Sequence, residues 1–265
     1  MKVLVTNDDG IDAPGLWALV RELHRVAEVI VVAPKQEQSG RGSSITLWQC
    51  IKVNKVESEL SGLEVYTTEG TPADCVIVSI RSLFPDSIDL VVSGINNGPN
   101  IGHDVFVSGT VGAALQGYLR GIPSLAVSVS AYEDLNFDAA ARLAALLTAK
   151  IKNGDLPQDV FLNINLPNLP QEKILGIEIT RLSGQSYCDV VEKEEDCEEP
   201  CYHIKRNNKD KDPYYATPGT DIWALQLGKV SITPLLDNSG DKGIKADLQS
   251  LMSKIYGELH DLLTK

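Results

Sequence analysis

The feature that most constrains this chain is a rhythm in its first half. Short runs rich in Val, Ile and Leu, at 2–6, 28–33, 89–93 and 124–130, alternate with segments of helical spacing. The runs are nearly continuous in apolarity, as strands covered on both faces are. After the first run, 14–26 places Leu16, Leu19, Val20 and Leu23 on one helical face, with Asp12 as the expected cap and Pro14 in the first turn. Thr71-Pro-Ala-Asp74 has the form of a capping box, with Asp in the fourth place, and opens a helix to about Leu83. Further helices are expected from about Thr110 to Arg120, stopping before Gly121, and over 137–151. This alternation predicts an α/β fold: an open, mostly parallel sheet with helices on both faces.

Beyond about residue 155 the rhythm changes. Strands are expected at 160–166, 176–182 and 230–234. Between them lies VEKEEDCEEPCYHIKRNNKDKDP, too charged for a core. It reads as a solvated loop or hairpin tip, or as a protruding arm that reaches a partner subunit. From Ile244 onward, Ile244, Leu248, Leu251, Met252, Ile255, Leu259 and Leu262 follow helical spacing, a stripe for the chain's own core or for another subunit. The expected division is therefore 1–155 as the α/β core and 156–265 as the part that completes it.

With 265 residues, 43% of them hydrophobic, the chain supports one large domain or one domain with an extension. A formal net charge of −12 excludes the basic footprint of a general nucleic-acid binder. It leaves room for a small anionic substrate if a divalent cation supplies local positive charge. No apolar stretch approaches the roughly 20 residues of a membrane span, and the N-terminus lacks a signal-peptide pattern, so a cytoplasmic protein is expected. Five cysteines at irregular spacing suit reduced thiols. Cys197, Cys201 and His203 lack the second ligand pair usual for zinc, and a solvated loop with incidental thiols is the simpler reading.

Ligands of open α/β sheets bind beyond the carboxyl ends of the strands. Asp8 and Asp9 follow the first strand, Gln38-Ser39-Gly40-Arg41-Gly42-Ser43-Ser44 the second, and Ser93-Gly94-Ile95-Asn96-Asn97-Gly98 a later one. Adjacent carboxylates are at home in a solvated turn, or where a cation neutralises them. The side chains of all three segments offer oxygen, which selects Mg²⁺, Mn²⁺ or Ca²⁺ over Zn²⁺. In GPNIGHDVFVSGTVG, Ser108-Gly109-Thr110 opens a helix whose free N–H groups suit a phosphate; an ordinary glycine-rich connection with a Ser/Thr cap is the alternative. His103 is either a solvated loop histidine or an acid for a leaving group. Dinucleotide, P-loop and Gly-x-Ser-x-Gly motifs are absent.

NDDG, SGRGSSIT, SGINNGPNIGHDVFVSGT, NINLP and GTDIWALQLGKVSITPL, in that order, resemble the motifs of the SurE family of metal-dependent 5′/3′-nucleotidases. The resemblance runs from residue 1 to about 236; the 185–213 segment and the last thirty residues carry little of it. It implies a Rossmann-like core and a C-terminal β-hairpin arm, here about 185–230, exchanged between subunits of a homodimer or homotetramer. It implies hydrolysis of nucleoside monophosphates, with short polyphosphate as a further substrate of some members, and one divalent cation per subunit, Mg²⁺ or Mn²⁺. Carried over by position, Asp8, Asp9, Ser39 and Asn96 would be the metal ligands, with Asp8 or Asp9 also taking a proton from water. Ser108, Gly109 and Thr110 match the phosphate-contacting segment, Asn96 also faces substrate, and Asp104 matches an acidic position. A covalent aspartyl-phosphate is the alternative chemistry. A catalytically silent nucleotide- or metal-binding regulator of the same fold is the alternative function, and an oligomeric module built on the terminal helix is a third.

Overall fold

In the computed structural model, β1 (Lys2–Thr6) pairs in parallel with β2 (Glu28–Pro34) on one side and β5 (Leu90–Asn97) on the other. β4 (Glu64–Thr68) extends the parallel array beyond β2, and β6 (Ser124–Ser130) and β7 (Phe161–Pro167) extend it beyond β5. The margins run the other way. β3 (Val53–Val56) is antiparallel to β4, and β11 (Val230–Pro234) is antiparallel to β7, with β8 (Ile177–Ile179) alongside β11. The nine strands lie in the order β3-β4-β2-β1-β5-β6-β7-β11-β8. Residues 1–58, 60–131, 133–184, 188–194, 200–207, 217–236, 251–252 and 254–258 are described.

Alternation along each strand splits the core in two, because successive side chains leave opposite faces. Val3, Val5, Val29, Val31 and Val92 pack with Leu16, Leu19 and Leu23 of α1 (Pro14–Leu23) and Leu143 and Leu147 of α4 (Asp138–Lys152). Leu4, Ile30, Val32 and Val91 face the opposite layer, with Cys75 and Val76 of α2 (Pro72–Val78) and Ala113 of α3 (Gly109–Tyr118). Both layers bury their side chains almost completely, which is why the strands read as unbroken apolar runs. Each large aliphatic side chain so buried stabilises by about 1.5–3 kcal/mol. α3 lies close to the sheet through Gly117, where a Cβ would meet the Ser124 Oγ at 2.5 Å.

The Thr71–Asp74 capping box forms as expected. The cap of α1 does not: Ala13 takes the N-cap position without a side-chain bond, and Asp12 is exposed. Pro14 has no N–H to be capped, which lowers the need for an acceptor there. The expected 89–93 strand continues to Asn97, and the expected 176–182 strand shrinks to three residues. β3 and β4 have no counterpart in the sequence expectations. Among the described residues no helix is long and apolar enough to cross a membrane.

The charged stretch forms a ribbon of its own. β9 (Cys188–Glu194) and β10 (Cys201–Asn207) pair antiparallel, outside the nine-stranded sheet. His203 pairs with Glu194 there and Cys201 is exposed and free, while Cys197 lies outside the described residues. Residues 251–252 and 254–258 are helical, with Met252 and Ile255 fully buried against the main core. Ile244, Leu248, Leu259 and Leu262 of the same stripe lie outside the described residues.

Candidate active site

From β1 the chain moves outward to β2 on one side, and later elements return to β5 on the other. The crevice beyond the carboxyl ends of β1 and β5 is thus the topological switch point, where ligands of open α/β sheets bind. Asp8 and Asp9 follow β1 into it, and Asn96 and Asn97 end β5 beside it. β5 reaches it through an irregularity. The register with β6 shifts between Ser93 and Asn96, and a Cβ on Gly94 would lie 2.3 Å from the Val127 carbonyl oxygen. A bulge of this kind re-aims the side chains that follow it.

The two acidic residues differ in surroundings. Asp8 is almost fully buried, and the Thr110 hydroxyl donates a short hydrogen bond to its Oδ1. Asp9 is less buried and accepts the Asn97 N–H at 3.4 Å. Burial lifts the Asp8 carboxyl above the usual carboxylate range, with the Thr110 hydroxyl pulling the other way. Burial, followed by the charge of Asp8, pushes Asp9 up to about 7. Glu37 adds more negative charge to both. Among the described residues no Lys, Arg or His forms an ion pair with either carboxylate.

The other expected donors lie on segments that adjoin this pair. The Gln38 N–H bonds the Asp8 carbonyl at 2.7 Å, which ties the loop after β2 to the end of β1. Ser39, next along that loop, is exposed and donates to Glu37 at 2.9 Å. The Asn96 amide nitrogen donates to the Gly98 carbonyl at 2.8 Å, which leaves its oxygen as the end for a cation. The described residues contain no group of three or more His, Cys, Asp or Glu side chains that would hold a metal. A cation here would therefore need the Asn96 amide and the Ser39 hydroxyl beside the two carboxylates. That all-oxygen set, with paired carboxylates lacking a cationic partner, fits a hard divalent ion.

Gly109 and Thr110 come directly against Asp8, with Ser108 just before them. Ser108 caps α3, its hydroxyl accepting the Val111 N–H at 3.1 Å. A Cβ on Gly109 would fall 2.7 Å from the Asp8 Cβ. The opening of α3 thus lies against Asp8, with the Val111 and Gly112 N–H groups taken up by Ser108 and the Gly109 N–H left for an anion such as phosphate. Gly112 completes the packing, since a Cβ there would stand 2.4 Å from the Gly42 carbonyl oxygen. His103 is exposed, and Asp104 half-buried, on the single 3₁₀ turn Gly102–Phe106 that leads into this segment.

Residue-by-residue reading missed the polar groups that hold the site from behind. Asn163 and Asn165 of β7 both donate to the Asn100 carbonyl, at 2.8 and 3.0 Å, and the Asn165 side-chain oxygen accepts the Asn100 N–H at 2.8 Å. Asn100 also donates to the Ser128 hydroxyl at 2.9 Å. Asp221, at the start of α5 (Asp221–Gln226), is fully buried and accepts the Gly102 N–H at 2.7 Å and the Ser183 N–H at 3.0 Å. Their signal was present: two Asn at strand spacing inside an apolar run, and an Asp at a helix start within a long motif.

The family model described as "Survival protein SurE" matches residues 3–189. The chain is 44% identical over 268 aligned residues to the 5′-nucleotidase SurE of Dehalococcoides mccartyi, an alignment spanning 96% of this chain and 100% of that protein. It is 43% identical to the 5′-nucleotidase SurE of Moorella thermoacetica, over 97% of this chain and 98% of that one. The crystal structure of the SurE protein from Aquifex aeolicus matches with a TM-score of 0.75 and 37% identity, over 95% of this chain and 99% of that chain. The Rossmann-like open sheet, the segments gathered at its switch point and these full-length similarities agree, and the chain belongs to the SurE family.

Proposed function

We propose that this chain is a divalent-cation-dependent phosphomonoesterase that hydrolyses nucleoside 5′- and 3′-monophosphates to nucleoside and phosphate, and attacks short polyphosphate as well. The observation that carries the reading is the contact between a buried, unneutralised Asp8 and the opening residues of α3, Gly109 and Thr110. It sets a cation-seeking group beside an anion-seeking one. The names of the relatives, 5′-nucleotidase SurE, support a nucleotide as the anion.

A single Mg²⁺ or Mn²⁺ held by Asp8, Asp9, Ser39 and Asn96 would polarise a phosphoryl oxygen and acidify a water. The remaining work falls to the chain itself. Thr110 fixes the Asp8 carboxylate by bonding one of its oxygens. The Val111 N–H is taken by the Ser108 hydroxyl and the Gly112 N–H by the Ser108 carbonyl, so it is the Gly109 N–H at the opening of α3 that binds an equatorial phosphoryl oxygen as charge spreads over it. Asp9, beside the attacking water, takes its proton. The new P–O bond forms as the ester P–O bond breaks, and the departing sugar oxygen gains a proton, a step we give to His103. Asn96 fixes the substrate from the β5 side.

The same reading makes 1–155 the catalytic core and 156–265 the part that completes it, with 185–230 as an arm exchanged in a homodimer or homotetramer. The β9–β10 ribbon supports the arm, because it stands off the main sheet with Val191, Tyr202 and Ile204 exposed. Phosphate release from 5′- and 3′-monophosphates of each nucleoside and from tripolyphosphate, with Mn²⁺, Mg²⁺ or chelator, tests the reading. Release from the nucleotides that stops with chelator is expected. Binding of nucleotide by folded protein without any release would favour the silent regulator.

A further inference from the structure

Phe106 keeps 73% of its surface exposed, although its backbone is held on every side. It ends the turn Gly102–Phe106, whose first N–H is bonded by Asp221. The next carbonyl, that of Val107, accepts the Gly42 N–H at 3.0 Å, and a Cβ on Gly42 would stand 3.2 Å from the Phe106 carbonyl oxygen. The 106–107 backbone is therefore wedged between the loop that carries Ser39 and the start of α3, two residues before Ser108. The Phe106 side chain stays out of the core and, among the described residues, its ring pairs with the exposed His103, ring centroids 6.4 Å apart and planes tilted by 39°. Phe106 thus offers a flat aromatic face to solvent two residues before Ser108, a surface on which a ring can stack.

We infer that Phe106, flanked by His103, is the platform on which the substrate's nucleobase stacks. The inference rests on the phosphomonoesterase reading above and adds to it the group that recognises the base end. With the phosphate held at 108–110, the rest of a nucleoside monophosphate leaves the site past the adjoining turn, and Phe106 is the large apolar side chain of that turn in solvent. Stacking on one aromatic face tolerates any base, since every base has a π-face. Phe106 thereby favours nucleotides over other phosphate esters without choosing among bases.

The test compares a nucleoside 5′-monophosphate with ribose 5-phosphate, which keeps the phosphate and sugar but lacks the base. The quantity read is the ratio of the two kcat/KM values for the wild type, Phe106→Ala and Phe106→Trp, with sedimentation of each. The ratio is expected to fall about 5- to 100-fold in Phe106→Ala, the span that loss of one base–aromatic stack produces. The change should appear in the nucleotide KM, and Phe106→Trp should restore the ratio. The exposed ring takes no part in the core, so the variants should fold as wild type does, and circular dichroism checks this. An unchanged ratio overturns the platform, and a changed sedimentation state with an unchanged ratio gives the ring to a subunit contact instead. A wild type active on neither substrate overturns the phosphomonoesterase reading and this inference together, whereas a wild type active on both, with the ratio insensitive to residue 106, overturns the platform alone.

Discussion

A methyl group on Gly109 would stand 2.7 Å from the Cβ of Asp8 and 2.9 Å from its Oδ2. The first residue of α3 and the first carboxylate after β1 therefore touch without room for one more carbon. Thr110 holds the same carboxylate from beside it, so Asp8 cannot swing away freely. Gly109→Ala should fold, because the strain is confined to the crevice, but it should lose roughly 100-fold in kcat/KM, the penalty typical of a misplacement near 1 Å. Steady-state kinetics beside circular dichroism checks this.

Thr110→Val keeps the shape of the side chain and removes the hydroxyl that bonds Asp8. That bond favours the charged carboxylate, so its loss lifts the Asp8 carboxyl further. Chelator-treated Thr110→Val should be less stable than wild type at pH 8 by about 1–3 kcal/mol, the usual penalty for an unsatisfied buried group. The deficit should shrink in acid, where Asp8 takes up its proton. Urea unfolding at both pH values measures it.

The raised carboxyl of Asp9 gives a pH dependence of definite sign. Its folded value of about 7 stands above the ordinary carboxyl value of 3.8, so the folded chain holds a proton that the unfolded chain has lost between those values. The Asp9 contribution to the stability of the metal-free protein then falls as pH rises from about 4 to about 7. Thermal unfolding in chelator should show this decline in wild type and a shallower one in Asp9→Asn. Added Mn²⁺ should raise the wild-type Tm more above pH 7, where Asp9 is ionised, than below it.

Asp221 links three stretches of backbone, accepting N–H groups from Gly102, Ser183 and Ile222. Asp221→Ala would leave these donors buried and unpaired, at about 1–3 kcal/mol or more. Because Gly102 opens the turn before Ser108, activity should drop more than the loss of stability explains. Urea midpoints and kcat/KM measured below the unfolding transition separate the two effects.

Much of the molecule was legible because its signals are local. β1, β2 and β6 are buried on both faces, and continuous Val/Ile/Leu runs report that directly. The Thr71–Asp74 cap could be read because all its partners lie within four residues. β3 escaped because an edge strand such as VNKV carries polar residues and lacks the apolar run, and β4, which lies between β3 and β2, because EVYTT mixes Val and Tyr with Glu and Thr. The oxygen-rich segments could be placed at one sheet edge because each follows a strand, and the parallel pairing of β2, β1 and β5 puts those strand ends on the same edge. What the sequence could not carry was contact across distance: Thr110 on Asp8, Asp221 on Gly102 and the paired Asn of β7 on Asn100. Those depend on which strands become neighbours. Asp12 failed as a cap because a proline at the helix start outweighs a favourable side chain one position too early.

The most direct measurement pairs Mn²⁺ binding by calorimetry with phosphate release from a nucleoside 5′-monophosphate, for the wild type and for Asp9→Asn. Metal-assisted hydrolysis at the β1/β5 crevice predicts that wild type binds the ion and releases phosphate only in its presence. It predicts that Asp9→Asn, still folded, binds the ion more weakly and loses roughly 100-fold or more in turnover. Folded wild type that releases no phosphate with Mn²⁺, or Asp9→Asn that binds and turns over as wild type does, would contradict it.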